Sequence, residues 1–245
     1  MKNELAVFSA AACIVLFFVP SRCVADEASQ AVKRFEKTYR SASTLSATFL
    51  EKYSESGDVV RTEAGTAYFK RPGKMRWEYN SPEKNLFLVD GKTAWFYVPA
   101  DRTVTRMPAK QSEDWRTPLA LLAGEAKISR ICSNVGLAKP PSSDPNRIAL
   151  RCDLKGAEKT KAGSDDEAMG PGSSPDFVRI ELERRNGELK SVVVHDRGGV
   201  IVEFQFANWE FNPPVPEASF HFAPPMGVAI VNGVTGSASD GQSLH

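Results

Sequence analysis

Residues 74–98 read KMRWEYNSPEKNLFLVDGKTAWFYV, and this stretch decides the fold. At its start, large apolar side chains alternate with polar ones, so that Met75, Trp77 and Tyr79 share one face of a strand. Further on, Asp90-Gly91 lies between two apolar runs, which is a strong signal for a β-hairpin. A period of two, interrupted by turn residues every few positions, predicts an antiparallel sheet.

The same period of two continues on both sides of this stretch. The predicted strands begin near 46–50 and continue at 64–70, 74–79, 86–89, 93–98, 103–107, 127–132, 147–154, 177–184, 190–195, 200–209 and 219–222. Residues 228–231 could add one more pairing. About eleven strands without a shift in composition predict a single antiparallel β domain. Because so long a sheet has to curl, we expect it to have a concave face that other residues cover.

Two predicted helices are the candidates for that cover. Residues 26–41 repeat apolar side chains at steps of three or four, and Asp26 can cap their N-terminus. In the second segment, Thr117 and Pro118 precede a short apolar run that ends before Gly124. The sequence therefore predicts an amphipathic N-terminal helix and a short internal one.

Residues 1–25 have the pattern of a secretory signal peptide. Lys2 precedes an apolar run over residues 5–19, and Ala25 completes a cleavage site. The alternative is a retained membrane anchor, but this run is shorter than the roughly 20 residues that span a bilayer. We therefore expect export and cleavage near Ala25.

Cleavage changes the charge and the cysteine count. The whole chain carries a formal net charge of +1, and loss of Lys2, Glu4 and Arg22 brings it to zero. A neutral chain lacks the electrostatic attraction of most nucleic-acid binders, so we expect no nucleic-acid partner. Of the four cysteines only Cys132 and Cys152 remain. In an oxidising compartment they predict a disulfide between neighbouring strands, with two buried free thiols as the alternative.

The exported chain divides into one domain and two segments that lack large apolar residues. The domain covers residues 26–231. A flexible insertion is predicted at 155–176 and a flexible tail at 232–245, because neither segment can bury enough apolar surface to order itself.

No motif for catalysis or metal binding is present in the sequence. His195, His221 and His245 lack metal-ligand spacing, and no nucleophile elbow, Walker loop or dinucleotide fingerprint occurs. The acidic run at 165–167 lies in a Gly/Ser-rich loop without EF-hand spacing. We therefore expect no catalytic residues, no metal and no cofactor.

Five motifs occur in the order and approximate spacing of a known family. They are Arg71–Tyr79, Pro82, Asp90–Tyr97, Thr117–Leu122 and Phe220–Val228. Together they resemble the LolA family, the periplasmic carriers of outer-membrane lipoproteins. The resemblance implies an unclosed, strongly curved antiparallel β-barrel, with helices as a lid over an apolar cavity.

The resemblance also implies partners and a location. A family member in the periplasm receives acylated lipoproteins that an ABC-type lipoprotein-releasing complex frees from the inner membrane. It shields their acyl chains and hands them to an outer-membrane lipoprotein acceptor. We expect this chain to act in the same way, as a monomer.

Site residues follow from the same resemblance. Arg71 matches the arginine that hydrogen-bonds to the lid and holds the empty form closed, and the alternative is an arginine that merely ends a strand before Pro72. The residues expected to line the cavity or form the lid are Phe35, Phe49, Met75, Trp77, Trp95, Leu121, Leu122, Phe204 and Phe206.

Two other functions remain open from the sequence. The first is a binder or shuttle of the same fold that carries another lipid, such as a glycolipid or a fatty acid. The second is a structural envelope protein with a filled core and no ligand. The lipid found on the exported protein distinguishes these possibilities.

Overall fold

The computed structural model describes residues 23–109, 119–124, 127–155, 177–195 and 199–233. The predicted signal peptide through residue 22, nearly all of the predicted insertion and the tail from residue 234 lie outside these ranges, as do Thr117 and Pro118. The helices are α1 (Cys23–Arg40) and α2 (Ala120–Ala123). The strands are β1 (Thr44–Glu55), β2 (Asp58–Lys70), β3 (Lys74–Ser81), β4 (Leu86–Val89), β5 (Thr93–Val98), β6 (Thr103–Pro108), β7 (Cys132–Leu137), β8 (Arg147–Leu154), β9 (Phe177–Glu183), β10 (Leu189–His195), β11 (Val200–Phe211) and β12 (Ala229–Asn232).

The described strands form one curved sheet in the order β12-β6-β5-β4-β3-β2-β1-β11-β10-β9-β8-β7. The strand β1 lies in the middle and pairs with β2 on one side and β11 on the other. Since β12 and β7 lie at opposite ends of this order, the sheet does not close. The predicted unclosed β architecture with few helices is confirmed.

Three details of the predicted strands are wrong. The last strand, β12, pairs with β6 in parallel, so the sheet is not wholly antiparallel. Residues 217–220 form a 3₁₀ turn where a strand was predicted at 219–222, because three nearby prolines lack the N–H that a sheet ladder needs. Residues 128–130 form another 3₁₀ turn, and the strand predicted at 127–132 begins only at Cys132.

The sheet has an inner face that α1 and α2 cover. Alternation along β3 buries Met75, Trp77 and Tyr79 on this face, and their register places Trp77 opposite Phe87 of β4. The buried side chains of β8 to β11 continue the same core. Because successive side chains of a strand point to opposite faces, the residues between them form the outer face.

The outer face has a cover of its own over strands β3 to β6. Leu88 and Val104 lie on that face, yet both are fully buried. The cover is the segment from Asn212 to Val228, which we call the strap. Its Phe222 ring packs 5.6 Å from the rings of Trp95 and Tyr97. The strap then leads into β12 at the edge of the sheet.

A disulfide joins β7 to β8 at one end of the sheet. Cys132 and Cys152 are both buried, and the structure links their sulfur atoms across the two neighbouring strands. Cys132 is the first residue of β7. The disulfide therefore fastens the end strand of the sheet at the point where the chain returns from α2.

Candidate functional site: a lid over the inner apolar face

Aromatic rings form a continuous cluster on the inner face. We call these rings the inner cluster, and its members are Phe49, Phe69, Trp77, Tyr79, Phe204, Phe206 and Trp209. Trp77 lies near its centre, with ring centroids 4.8 Å from Phe49 and 5.5 Å from Phe204. Aromatic pairs at such distances contribute about 0.5–1.5 kcal/mol each beyond their burial. The sheet thus presents a large apolar floor.

The helix α1 packs on the inner cluster and covers it. Its Tyr39 ring packs edge-on against Trp209 of the inner cluster at 5.2 Å and lies 4.8 Å from Phe35. The Tyr39 hydroxyl accepts a hydrogen bond from the backbone N–H of Leu189, and burial raises the pKa of Tyr39 above its ordinary value. Glu36, one turn earlier, accepts a bond of 3.1 Å from the backbone N–H of Ile128. These contacts fix α1 across the sheet.

The helix α2 completes the lid, and we use that word for α1 and α2 together. A small cavity of about 10 Å³ remains beneath it. Its walls are Phe35, Leu119, Leu121, Leu122, Ile131, Val178, Ile180, Leu189 and Val192. This volume holds no more than about one water molecule. The inner face is therefore closed in this conformation, and a long ligand fits only if the lid moves.

The turn between β2 and β3 contacts both lid helices. We call residues 71–73 the latch. The Arg71 guanidinium donates to the backbone carbonyls of Tyr39 and Arg40, at 2.7 and 2.6 Å. The backbone N–H of Gly73 donates to the carbonyl of Ala123, at 2.8 Å. The latch therefore satisfies carbonyls at the C-terminal ends of both helices, which lack partners within the helix.

Charge favours this arrangement at α1. The C-terminal end of a helix carries partial negative charge, so a cation placed there is stabilising. Partial burial lowers the pKa of Arg71 below its ordinary value, but a guanidinium stays protonated in proteins. Its Nε is buried without a hydrogen-bond partner among the described residues. The hydrogen bonds that Arg71 donates from its two terminal nitrogens therefore both go to the lid.

Most of the predicted cavity residues lie together. Phe35, Leu121 and Leu122 line the small cavity under the lid. Phe49, Met75, Trp77, Phe204 and Phe206 are buried on the inner face. Arg71 contacts the lid at the end of α1. Whether acyl chains bind these residues stays a prediction.

Trp95 is the exception, and its predicted place in the cavity is wrong. Its register partner in β4 is Leu88, on the outer face, while Ala94 beside it is buried in the inner core. The Trp95 indole packs under Phe222 of the strap and donates to Asp90. The alternation around Trp95 had indicated two faces, but the sequence did not reveal that the strap covers the second one.

One end of the inner face is polar, which was not predicted from the sequence. Glu51 is 2% exposed and accepts a hydrogen bond of 2.5 Å from the Tyr79 hydroxyl. Its strand partner Glu63 forms an ion pair of 3.0 Å with Arg61. A glutamate within an apolar alternation was the only available signal. The inner cluster therefore borders a group of charged and hydroxyl side chains.

The described residues include neither a cluster of metal ligands nor a membrane-spanning helix. Among them, no group of three or more His, Cys, Asp or Glu side chains is arranged to hold a metal ion. No helix within the described ranges is long and apolar enough to cross a membrane.

Comparison with known proteins identifies the family. The family described as "Outer membrane lipoprotein carrier protein LolA" matches residues 40–140, a range that includes the latch. An outer-membrane lipoprotein carrier protein of Chromobacterium violaceum is 31% identical over 206 residues, covering 84% of this chain and 89% of that protein. The chain belongs to the LolA family.

A second relative matches a still larger part of the chain, and a solved structure matches a similar part. An outer-membrane lipoprotein carrier protein of Nitrosospira multiformis is 28% identical over 224 residues, covering 90% of this chain and 96% of the relative. The crystal structure of a LolA superfamily protein from Nitrosomonas europaea covers 80% of this chain and 97% of its own, at 8% identity and a TM-score of 0.42. The sequence similarity to the carriers of Chromobacterium violaceum and Nitrosospira multiformis thus extends well beyond the range that contains the latch.

Proposed function

We propose that this LolA family member is a periplasmic carrier of lipoproteins. It receives lipoproteins that an ABC-type releasing complex frees from the inner membrane, shields their acyl chains against the inner cluster, and delivers them to an acceptor at the outer membrane. The observation that carries the proposal is a large apolar face under a lid that the latch holds by a few hydrogen bonds.

The energies of lid and cargo are of similar size. Two hydrogen bonds from a charged donor and one between neutral groups contribute roughly 4–7 kcal/mol together. Each methylene removed from water contributes about 0.8 kcal/mol. An acyl chain that takes the place of the lid on the inner cluster exchanges one set of apolar contacts for another, so the hydrogen bonds of the latch are the part that must break on binding and form again on release. Such a balance permits binding and release without a nucleotide site in the carrier.

A carrier is needed because acyl chains keep a lipoprotein in its membrane. Two or more chains, at about 0.8 kcal/mol per methylene, make spontaneous transfer through water extremely slow. The curved apolar face substitutes for the bilayer interior during transit. The predicted signal peptide is consistent with this location, since it directs the chain to the compartment between the two membranes.

Reconstituted transfer tests the proposal. Inner-membrane vesicles that contain lipoproteins and the releasing complex are incubated with the exported chain, and outer-membrane vesicles are added later. We expect lipoprotein to appear first in a soluble complex with the chain and then in the outer-membrane vesicles. If no lipoprotein leaves the inner-membrane vesicles, the proposed function is wrong.

Arg71→Leu gives the first specific prediction. Loss of the charged hydrogen bonds to Tyr39 and Arg40 should leave the fold intact but reduce delivery to the outer-membrane vesicles about tenfold, because the cycle depends on closure of the lid. Arg147→Leu, which removes an arginine of the outer face, is the matched control and should deliver normally. Normal delivery by Arg71→Leu would contradict the role of the latch.

Mass spectrometry of the exported protein separates the alternatives. A copurified polypeptide that bears diacylglyceryl-cysteine supports the lipoprotein carrier. A free glycolipid or fatty acid would instead indicate a shuttle of another lipid. A protein that carries nothing and binds no acylated peptide would be a structural component of the envelope.

A further inference from the structure

The strap lies on the outer face directly behind the latch. Glu217 of the strap forms ion pairs with Lys70 and Lys74, the residues that come immediately before and after the latch. The Lys70 ammonium lies 2.9 Å from one carboxylate oxygen, and the Lys74 ammonium contacts the other. One carboxylate thus joins the two strands that lead into and out of the turn. It acts on the outer face while Arg71 and Gly73 hold the lid on the inner side.

The first residue of the strap, Asn212, is also linked to the latch, through hydrogen bonds to Ser43. Asn212 accepts hydrogen bonds from the backbone N–H of Ser43, at 2.8 Å, and from the Ser43 hydroxyl, at 3.2 Å. The carbonyl of Ser43 in turn accepts from the backbone N–H of Arg71, at 3.0 Å. Ser43 lies in the short link between α1 and β1. Through Ser43 the strap therefore contacts both the latch and the link between α1 and β1. The helix α1 would rotate about this link if the lid opened.

A third contact fixes the direction of the strap. Arg76 of β3 donates to the carbonyl of Ser219, at 2.9 Å, two residues beyond Glu217. Lys70 also approaches the carbonyl of Val215. Contacts on both sides of Glu217 keep its carboxylate between the two lysines, so the strap is a fixed element behind the turn.

We propose that the strap braces the latch, and that Glu217 is a positioning residue that sets how readily Arg71 and Gly73 release the lid. The importance of this brace for transport rests on the proposed carrier function. Lid opening itself is a property of the empty protein and can be measured without cargo. The two proposals can therefore fail separately.

Glu217 suits such a role because its contribution is local. Its side chain is 54% exposed, and exposed ion pairs add little to global stability. Replacing Glu217 should therefore leave the fold intact while loosening one turn. The pair of Lys52 and Glu203, on the outer face of β1 and β11, provides a matched control of similar chemistry with no contact to the latch.

Hydrogen exchange of the Gly73 amide, which bonds to α2, measures opening directly. We expect Glu217→Gln to raise its exchange rate about two- to fivefold, the range that corresponds to a surface ion pair. Glu203→Gln should leave the rate unchanged, and Glu217→Asp should restore part of the protection. Both glutamine variants should keep the thermal midpoint of the parent, which shows that any change is local.

A double-mutant cycle asks whether Glu217 acts through the latch. In an Arg71→Leu background the lid is already released, so Glu217→Gln should cause no further increase in Gly73 exchange. Equal increases in both backgrounds would overturn the proposal, as would unchanged exchange in Glu217→Gln alone. If exchange responds as expected but the chain takes up no lipoprotein, the brace stands and the carrier function fails.

Discussion

At the scale of single residues, Gly187 shows how tightly α1 lies on the sheet. The turn between β9 and β10 brings Gly187 so close to α1 that an added Cβ would lie 2.4 Å from the backbone nitrogen of Phe35. Gly187 also has a φ of +74°, which disfavours any residue with a side chain. Two independent constraints therefore require glycine at this position.

Gly187→Ala should move or detach α1. The left-handed backbone alone costs about 1–2 kcal/mol for alanine. The overlap with α1 should bring the loss of unfolding free energy above about 3 kcal/mol. Gly57→Ala is the control, because Gly57 also has a positive φ but has open space around it. Urea unfolding of both variants checks this, and equal losses would show that the contact with α1 is unimportant.

Glu217 gives a prediction on pH at the same scale. Hydrogen bonds from Lys74 and then Lys70 lower the pKa of Glu217 from 4.5 to about 2. A lowered pKa means that the folded state favours the carboxylate, so this contribution to stability is present above pH 4.5 and disappears as the pH falls towards 2. The Gly73 amide exchange rates of the parent and of Glu217→Gln should therefore converge over that interval. A difference that stays constant down to pH 2 would show that the ion pairs are not its source.

At the scale of elements, the disulfide and α1 stabilise the same end of the sheet. The helix α1 packs on β7, the strand that begins at Cys132. The sequence separation of the cysteines is 20 residues. Closing a loop of that length removes unfolded conformations and stabilises the fold by about 3 kcal/mol.

Replacing both cysteines with alanine should cost about that amount, because the unfolded chain regains its freedom. Denaturant unfolding of the double variant measures the loss, and chemical reduction of the parent should give a comparable one. A double variant as stable as the parent would mean that packing alone fastens β7.

Elements with strong local signals could be predicted from the sequence. Features that depend on contacts between distant segments could not. Alternation at Met75–Tyr79 and the period of α1 depend on neighbours a few residues apart, so both could be recognised. The face of Trp95 depends on Phe222, which lies far along the chain, and no local pattern shows that contact. The contact of Arg71 with the lid came from family resemblance, whereas no sequence pattern indicated that the strap lies behind the latch.

At the scale of the whole molecule, the sheet has a covered apolar inner face and a covered apolar region on the outer face of β3 to β6, and the two differ in how they are closed. The strap is anchored by ion pairs, by ring packing and by the pairing of β12 with β6. The lid is anchored by the latch, by side-chain hydrogen bonds of α1 and by apolar packing, but not by pairing with a strand. We therefore expect ligands to enter the inner face and leave the outer one unchanged.

Fluorescence quenching distinguishes the two faces. A lipopeptide with brominated acyl chains should quench Trp77, which lies in the inner cluster, because heavy atoms quench only at close range. Trp95→Phe removes the indole of the outer face and should retain the full quenching. If quenching disappears in Trp95→Phe, the acyl chains bind under the strap and not under the lid.

The central position of β1 has a consequence for how the protein folds. Its contacts with β11 join residues far apart in the chain, as in the hydrogen bond between Thr48 and Ala207, which are separated by 159 residues. Closing so large a loop costs entropy before any contact repays it, so such topologies fold slowly. The first long strand to emerge from the ribosome must wait for nearly the last before its second edge is paired. The central strand therefore has both of its edges paired only when nearly the whole chain is available to fold.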